Sequence, residues 1–176
     1  MMNNDVSRNG WVSLYWYALA ALIILLDQVT KALANTQLEY GLPVEVFSWF
    51  NLTLQYNTGA AFSFLANAGG WQRYFFSIVA IVISVILVVW LYRMPREQKL
   101  LGLALALILG GALGNVWDRI ALGHVVDFIS VHYGGWYFPA FNIADSAISV
   151  GAVFMIYDSL FGGPARANSQ RGAEAE

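Results

Sequence analysis

Three stretches of this 176-residue chain, 9–26, 74–92 and 100–117, run for 18 or 19 residues without a charged side chain. A helix needs about 20 apolar residues to cross the hydrocarbon core of a bilayer. A fourth stretch, Ile143 to Phe161, qualifies more weakly because Asp145 and Asp158 lie near its two ends. The expected fold class is membrane α-helical: a four-transmembrane-helix bundle in a single domain, 1–176, with spans near 12–33, 72–92, 98–119 and 142–161. Charged residues make up only 11% of the chain and the mean hydropathy is +0.57, whereas a soluble domain carries about 25% charged residues. The first span reads as retained rather than as a cleavable signal peptide. Its apolar run continues through Leu22-Ile23-Ile24-Leu25-Leu26, past a typical signal core.

Lysine and arginine orient the bundle. Arg93, Arg96 and Lys99 crowd the link between the second and third spans, Arg8 precedes the first, and Arg166 and Arg171 follow the fourth. Six of the nine basic residues thus fall on one side, which the positive-inside rule makes cytoplasmic. Both termini are expected inside, with segments 34–71 and 120–141 outside. Asp27, Lys31, Asn115, Asp118, Arg119, Asp127, Asn142 and Asp145 then gather at the outer face.

Those outer segments carry strand signals. Asn51-Leu52-Thr53-Leu54-Gln55-Tyr56-Asn57 alternates polar and apolar residues with period two. Gly134-Gly135 sits between aromatics where a hairpin would turn. Together with Phe47, Trp49, Phe50, Phe62 and Phe64 they predict a small, β-rich, aromatic platform at the membrane interface, where Trp and Tyr rings are at home. The tail from Gly162, rich in Gly, Ala and polar residues, reads as disordered.

The absence of cysteine excludes disulfides, thiol nucleophiles and thiolate metal sites. Only His124 and His132 exist, in no paired ligand spacing, so no metal and no cofactor is expected. His124 reads as a solvated interfacial side chain rather than a base. With a pI near 5.6 and no basic stripe, no nucleic-acid partner is expected.

The chemistry therefore has to come from the membrane-edge polar residues. Asp127 lies in the apolar run Val125-Val126-Asp127-Phe128-Ile129, and Asp145 in the first turn of the fourth span. A carboxylate at bilayer depth costs about 3 kcal/mol on insertion scales, which makes each a functional candidate. Two acids at one face suggest a shared proton and an activated water. Asn142 is a candidate N-cap with Asp145 three residues on. Asn115, Asp118 and Arg119 share a helical face, and Arg119 offers a fork of donors suited to a carbonyl or an anion. Asp118 reads more simply as a local partner for an arginine or a helix end, and Asp27 with Lys31 as an i, i+4 ion pair. Asn57 could be a turn former before Gly59. Gly110, Gly111 and Gly114 allow close approach to the third helix.

Five blocks in order then resemble the bacterial lipoprotein signal peptidases (signal peptidase II). They are Asp27-Gln28-Val29-Thr30-Lys31; Tyr56-Asn57-Thr58-Gly59-Ala60-Ala61-Phe62; Gly114-Asn115-Val116-Trp117-Asp118-Arg119; Gly123-His124-Val125-Val126-Asp127-Phe128; and Phe141-Asn142-Ile143-Ala144-Asp145-Ser146. The resemblance spans about residues 14–161. It implies an aspartic endopeptidase of the bacterial cytoplasmic membrane that cleaves diacylglyceryl-modified prolipoproteins just before the lipidated cysteine. The implied catalytic pair is Asp127 and Asp145. Asp27, Asn57, Asn115, Arg119 and Asn142 are the implied substrate-binding or supporting residues. Implied partners are the lipidated prolipoproteins, membrane lipids and cyclic peptide inhibitors such as globomycin.

Two other classes fit the bare composition. An ion-coupled carrier would also bury carboxylates, but its relay should reach both membrane faces, and inverted repeats are absent. A non-catalytic assembly factor would tolerate neutral residues at 127 and 145.

Overall fold

The computed structural model describes residues 10–59 and 70–161. Four helices are long and apolar enough to cross a membrane: α1 (Gly10–Gln37), α2 (Trp71–Arg93), α3 (Lys99–Ala121) and α4 (Ile143–Phe161). In lipid every backbone amide must find its partner within the protein, which is why these apolar runs are continuous helices. Helix α1 continues four residues beyond the expected 33, so Ala34 and Leu38 reach the sheet and pack with Leu54, Val126 and Phe128.

Helix α3 is the axis. Some 67% of its apolar window is buried, against 17–22% in the other three. Its glycines set the spacing. A Cβ on Gly110 would meet the Ala20 carbonyl of α1 at 2.8 Å, and one on Gly114 would meet Asp27 Oδ2 at 2.7 Å. Gly111 faces Ala144 and Ile148 of α4 in the same way. Away from the sheet, Leu87, Leu91, Met94, Leu101, Leu105 and Leu109 pack α2 against α3. Helix α2 turns Ile78, Val82, Val85 and Ile86 outward, as a lipid-facing surface requires.

Four antiparallel strands form one sheet in the order β1 (Pro43–Phe47), β2 (Phe50–Asn57), β3 (Val125–Tyr133), β4 (Trp136–Tyr137). The expected fold class, a four-helix membrane bundle carrying a small β-rich platform, is the one observed. The β3–β4 hairpin turns at Gly134-Gly135, whose φ values of 55° and 83° are the left-handed pair that a tight type I′ turn demands. Strand β1 is exposed along its length, and its alternation is confined to Val44-Glu45-Val46, too short a run to announce a strand. It pairs with β2 across Ser48-Trp49, and Phe47 stacks on Trp49 with ring centroids 5.8 Å apart.

The period-two alternation expected along 51–57 is interrupted. Leu52 pairs with Ile129 and Gln55 with Asp127, so β2 holds one residue more than β3 in this interval. Such a bulge reverses the facing of everything beyond it. Thr53 and Leu54 are consequently both buried, and Gln55 and Asn57, rather than Tyr56, share the face of Asp127. Phe62, Phe64 and the rest of 60–69, like the tail from Gly162, lie outside the described residues.

Candidate active site

Asp127 stands on β3, two residues before Ile129. The Phe128 and Ile129 amides both donate to the Phe141 carbonyl, at 3.1 and 2.9 Å, and the Phe141 amide donates back to Ile129 O at 3.0 Å. This bridge pins the start of α4 beside β3, so the next residue, Asn142, reaches Asp127. Asn142 is fully buried. Its Nδ2 donates to Asp127 Oδ1 at 2.7 Å and lies 3.2 Å from the Val126 carbonyl.

The same side chain caps α4. Asn142 Oδ1 accepts the Asp145 amide at 2.9 Å, and Asp145 Oδ2 accepts the Asn142 amide at 3.4 Å. This reciprocal pair is a capping box with aspartate in the N3 place. One asparagine therefore orients Asp127 through its amino group and Asp145 through its carbonyl. Asn57 Nδ2 donates to Asp127 Oδ2 at 3.1 Å, and Asn115 Nδ2 donates to Asp145 Oδ1 at 2.8 Å. Each carboxyl thus accepts two hydrogen bonds from amide groups on other elements or at the cap.

Burial, and then the charge of Asp145, push the Asp127 carboxyl up from its ordinary value to about 7. The hydrogen bonds from Asn57 and Asn142 and the charge of Lys31 act in the opposite direction. A carboxyl at that value exchanges its proton readily near neutrality.

Behind the two acids lies a second layer. Lys31 Nζ stands 2.8 Å from Asp27 Oδ2 and 2.9 Å from Asp118 Oδ2, and donates to Asn115 Oδ1 at 2.9 Å. Asp27 Oδ1 accepts the Ala144 amide at 2.9 Å, satisfying another free donor at the head of α4. Asp118 Oδ2 accepts the Val126 amide at 3.1 Å, tying α3 to the strand that carries Asp127. Gln28 Nε2 donates to Asp118 Oδ1 at 2.9 Å. Asp27, Lys31 and Asp118 are all at most 2% exposed.

Of the seven site residues expected from the sequence, Asp127, Asp145, Asn57, Asn115 and Asn142 join one hydrogen-bonded cluster. Asp27 enters it from behind, through Lys31 and the Ala144 amide. Arg119 lies at the rim: its guanidinium donates to the carbonyls of Asn115 and Gly59, each at 3.3 Å, and lies over the Phe76 ring. Its buried Nε has no partner. The partner of Asp118 is Lys31, not an arginine. The role of Gln28 and the reach of Lys31 beyond Asp27 are not evident from the local sequence pattern. Their only signal is position, since both residues are polar within the last apolar turns of a spanning helix. His124 packs against the Tyr56 ring with centroids 4.2 Å apart, and this partial burial lowers its pKa from the ordinary imidazole value. Among the described residues no group of three acidic, histidine or cysteine side chains could hold a metal ion.

Beside Asp127 opens a cleft of about 380 Å³. Its walls come from β2, β3, β4 and the segment leading to α4, and from no membrane helix. Two electrostatically coupled carboxyls, one raised to about 7 and lining an accessible cleft, can activate a water and protonate a leaving group.

A family model described as signal peptidase (SPase) II matches residues 19–161. A lipoprotein signal peptidase of Acinetobacter baumannii is 52% identical over 165 residues, covering 91% of this chain and 94% of that protein. One of Pseudomonas fluorescens is 55% identical over 159 residues, covering 89% and 92%. Two solved bacterial membrane enzyme structures, each 33% identical, superpose with TM-scores of 0.77 and 0.75. They cover 87% and 88% of this chain and 91% and 97% of their own. On this evidence the chain is a multi-pass bacterial membrane protein that belongs to the signal peptidase II family of peptidases.

Proposed function

We propose that this protein is an intramembrane aspartic endopeptidase that removes signal peptides from diacylglyceryl-modified prolipoproteins, cutting just before the lipidated cysteine. Asp127 and Asp145 form its catalytic pair, at the outer face of the cytoplasmic membrane. The observation that carries this reading is the convergence of both aspartates on Asn142, with Asp127 raised to about 7.

In this mechanism the pair shares one proton, held by Asp127. Asp145 takes a proton from a water lying between the two carboxyls, and the hydroxide oxygen attacks the scissile carbonyl carbon. Asp127 passes its proton to the carbonyl oxygen, giving a neutral gem-diol. On collapse Asp145 delivers its acquired proton to the leaving amine, and Asp127 recovers one from the gem-diol hydroxyl. The pair titrates as a unit, so its apparent values belong to both groups.

Asn57 and Asn142 hold Asp127 in register, and Asn115 does the same for Asp145. Arg119, with donors to spare at the rim, holds a substrate carbonyl. Asp27 acts through Lys31 and the α4 cap and is a positioning residue. The acyl chains of the substrate stay in lipid, which accounts for placing the acids at the membrane edge. Cyclic peptides such as globomycin would compete for the same cleft.

The test is incubation of the purified protein with a diacylglyceryl-modified preprotein and its unlipidated counterpart, followed by mass mapping of the products. Cleavage of the lipidated form alone, before the cysteine, is expected. Asp127→Asn and Asp145→Asn should each lower turnover about 10²- to 10⁴-fold with membrane insertion intact. Normal processing by either variant removes the dyad assignment.

A further inference from the structure

The cleft beside Asp127 has a composition that sets it apart from the rest of the molecule. Asp127 and Asn57 line it together with Gln55, Ser130, Tyr137 and Pro139. Every lining residue lies on the sheet or in the segment 137–140, clear of the spanning helices, and none is cationic. Gln55 is exposed and pairs directly with Asp127 across the β2–β3 ladder, so their side chains leave the same face of the sheet. It owes that facing to the bulge at Thr53 and Leu54.

A signal peptidase substrate has three parts with different solvents. The signal helix and the acyl chains belong in the hydrocarbon layer. The polypeptide that follows the cysteine is the part that leaves into water. A polar cleft built from the sheet and open beside the reacting carboxyls suits that third part.

We propose that this cleft is the subsite for the residue immediately after the lipidated cysteine, and that Gln55 selects its charge. The inference rests on the function proposed above and adds a specificity to it. An anionic side chain seated there faces the negative charge of the Asp127–Asp145 pair, while Arg119 and Lys31, the cations whose charge reaches that pair, stand outside the cleft wall. A neutral polar or cationic side chain meets the amide of Gln55 and the hydroxyl of Ser130 instead.

Three lipidated preproteins differing only in the residue after the cysteine, with Ser, Lys or Asp there, test this. The unaltered protein is expected to cleave the Ser and Lys forms with kcat/KM about tenfold above the Asp form, the scale of one charge contact largely screened by the water of an open cleft. Gln55→Lys should narrow or reverse the gap between the Asp and Lys forms, and Gln55→Glu should widen it. Opposite movements from two single substitutions at one exposed position cannot come from a general loss of folding. Equal cleavage of all three forms by the unaltered protein, or an unchanged ratio in both variants, overturns the subsite. Failure to cleave any lipidated form overturns the proposed function itself, so the two outcomes are distinct.

Discussion

The Asp127 carboxyl is set by competing neighbours: burial and Asp145 raise it to about 7, while Asn57, Asn142 and Lys31 pull it down. Because the proposed mechanism needs Asp127 protonated, kcat should fall as pH rises through about 7. Asn57→Ala removes a hydrogen bond that favours the charged form, so the alkaline limb should move to higher pH even as the maximal rate drops. A pH–rate profile of both proteins checks this, and a limb that moves downward contradicts it. At this scale the sequence was informative wherever cost was visible. Asp127 in a valine-rich run, Asn142 with Asp145 three residues on, and Asn115 in an apolar helix each stand out by the price of placing them there. Gln28 and Asp118 did not, because nothing in the local pattern says that two helices and a strand will meet around their side chains.

At the scale of elements, the site depends on a buried cation whose network ties four of them together. Lys31 on α1 holds Asp118 on α3, which holds the Val126 amide of β3, while Asp27 caps α4. Lys31→Met leaves two carboxyls buried without their counter-ion and should cost about 3–5 kcal/mol, read as loss of thermal stability in detergent. The extra residue in β2 is a separate device. Deleting Thr53 restores simple alternation and turns Asn57 away from Asp127. A small misplacement of a catalytic neighbour costs about 10²-fold in rate, so activity should drop by that order while the four helices remain, as followed by circular dichroism. The spans were legible from charge-free windows, and the Gly134-Gly135 hairpin from its turn chemistry. The bulge and β1 were not: the bulge arises from register with β3, about 70 residues away, and β1 is a short exposed strand with too little local period to stand out.

For the whole molecule, the distribution of basic residues predicts that the sheet end faces outward and the α2–α3 link inward. The chain contains no cysteine, so single replacements report cleanly. Trp136→Cys should react with a membrane-impermeant maleimide in intact spheroplasts, and Arg96→Cys only after the membrane is opened. The opposite pattern would invert the proposed topology. Which end of each helix meets which was readable only in part. The glycines of α3 announced close approach, but that Gly110 and Gly114 admit α1 while Gly111 admits α4 emerges only from packing.

Asn142 caps a helix, orients both acids and touches the backbone of β3 with a single amide. Under the proposed mechanism, a replacement there should cost activity and, with it, the binding of a molecule that mimics the substrate. Resistance to a blocking drug therefore has almost no viable route through the floor of the site. It would have to arise at the mouth, where Gln55 and its neighbours can change without dismantling the machinery.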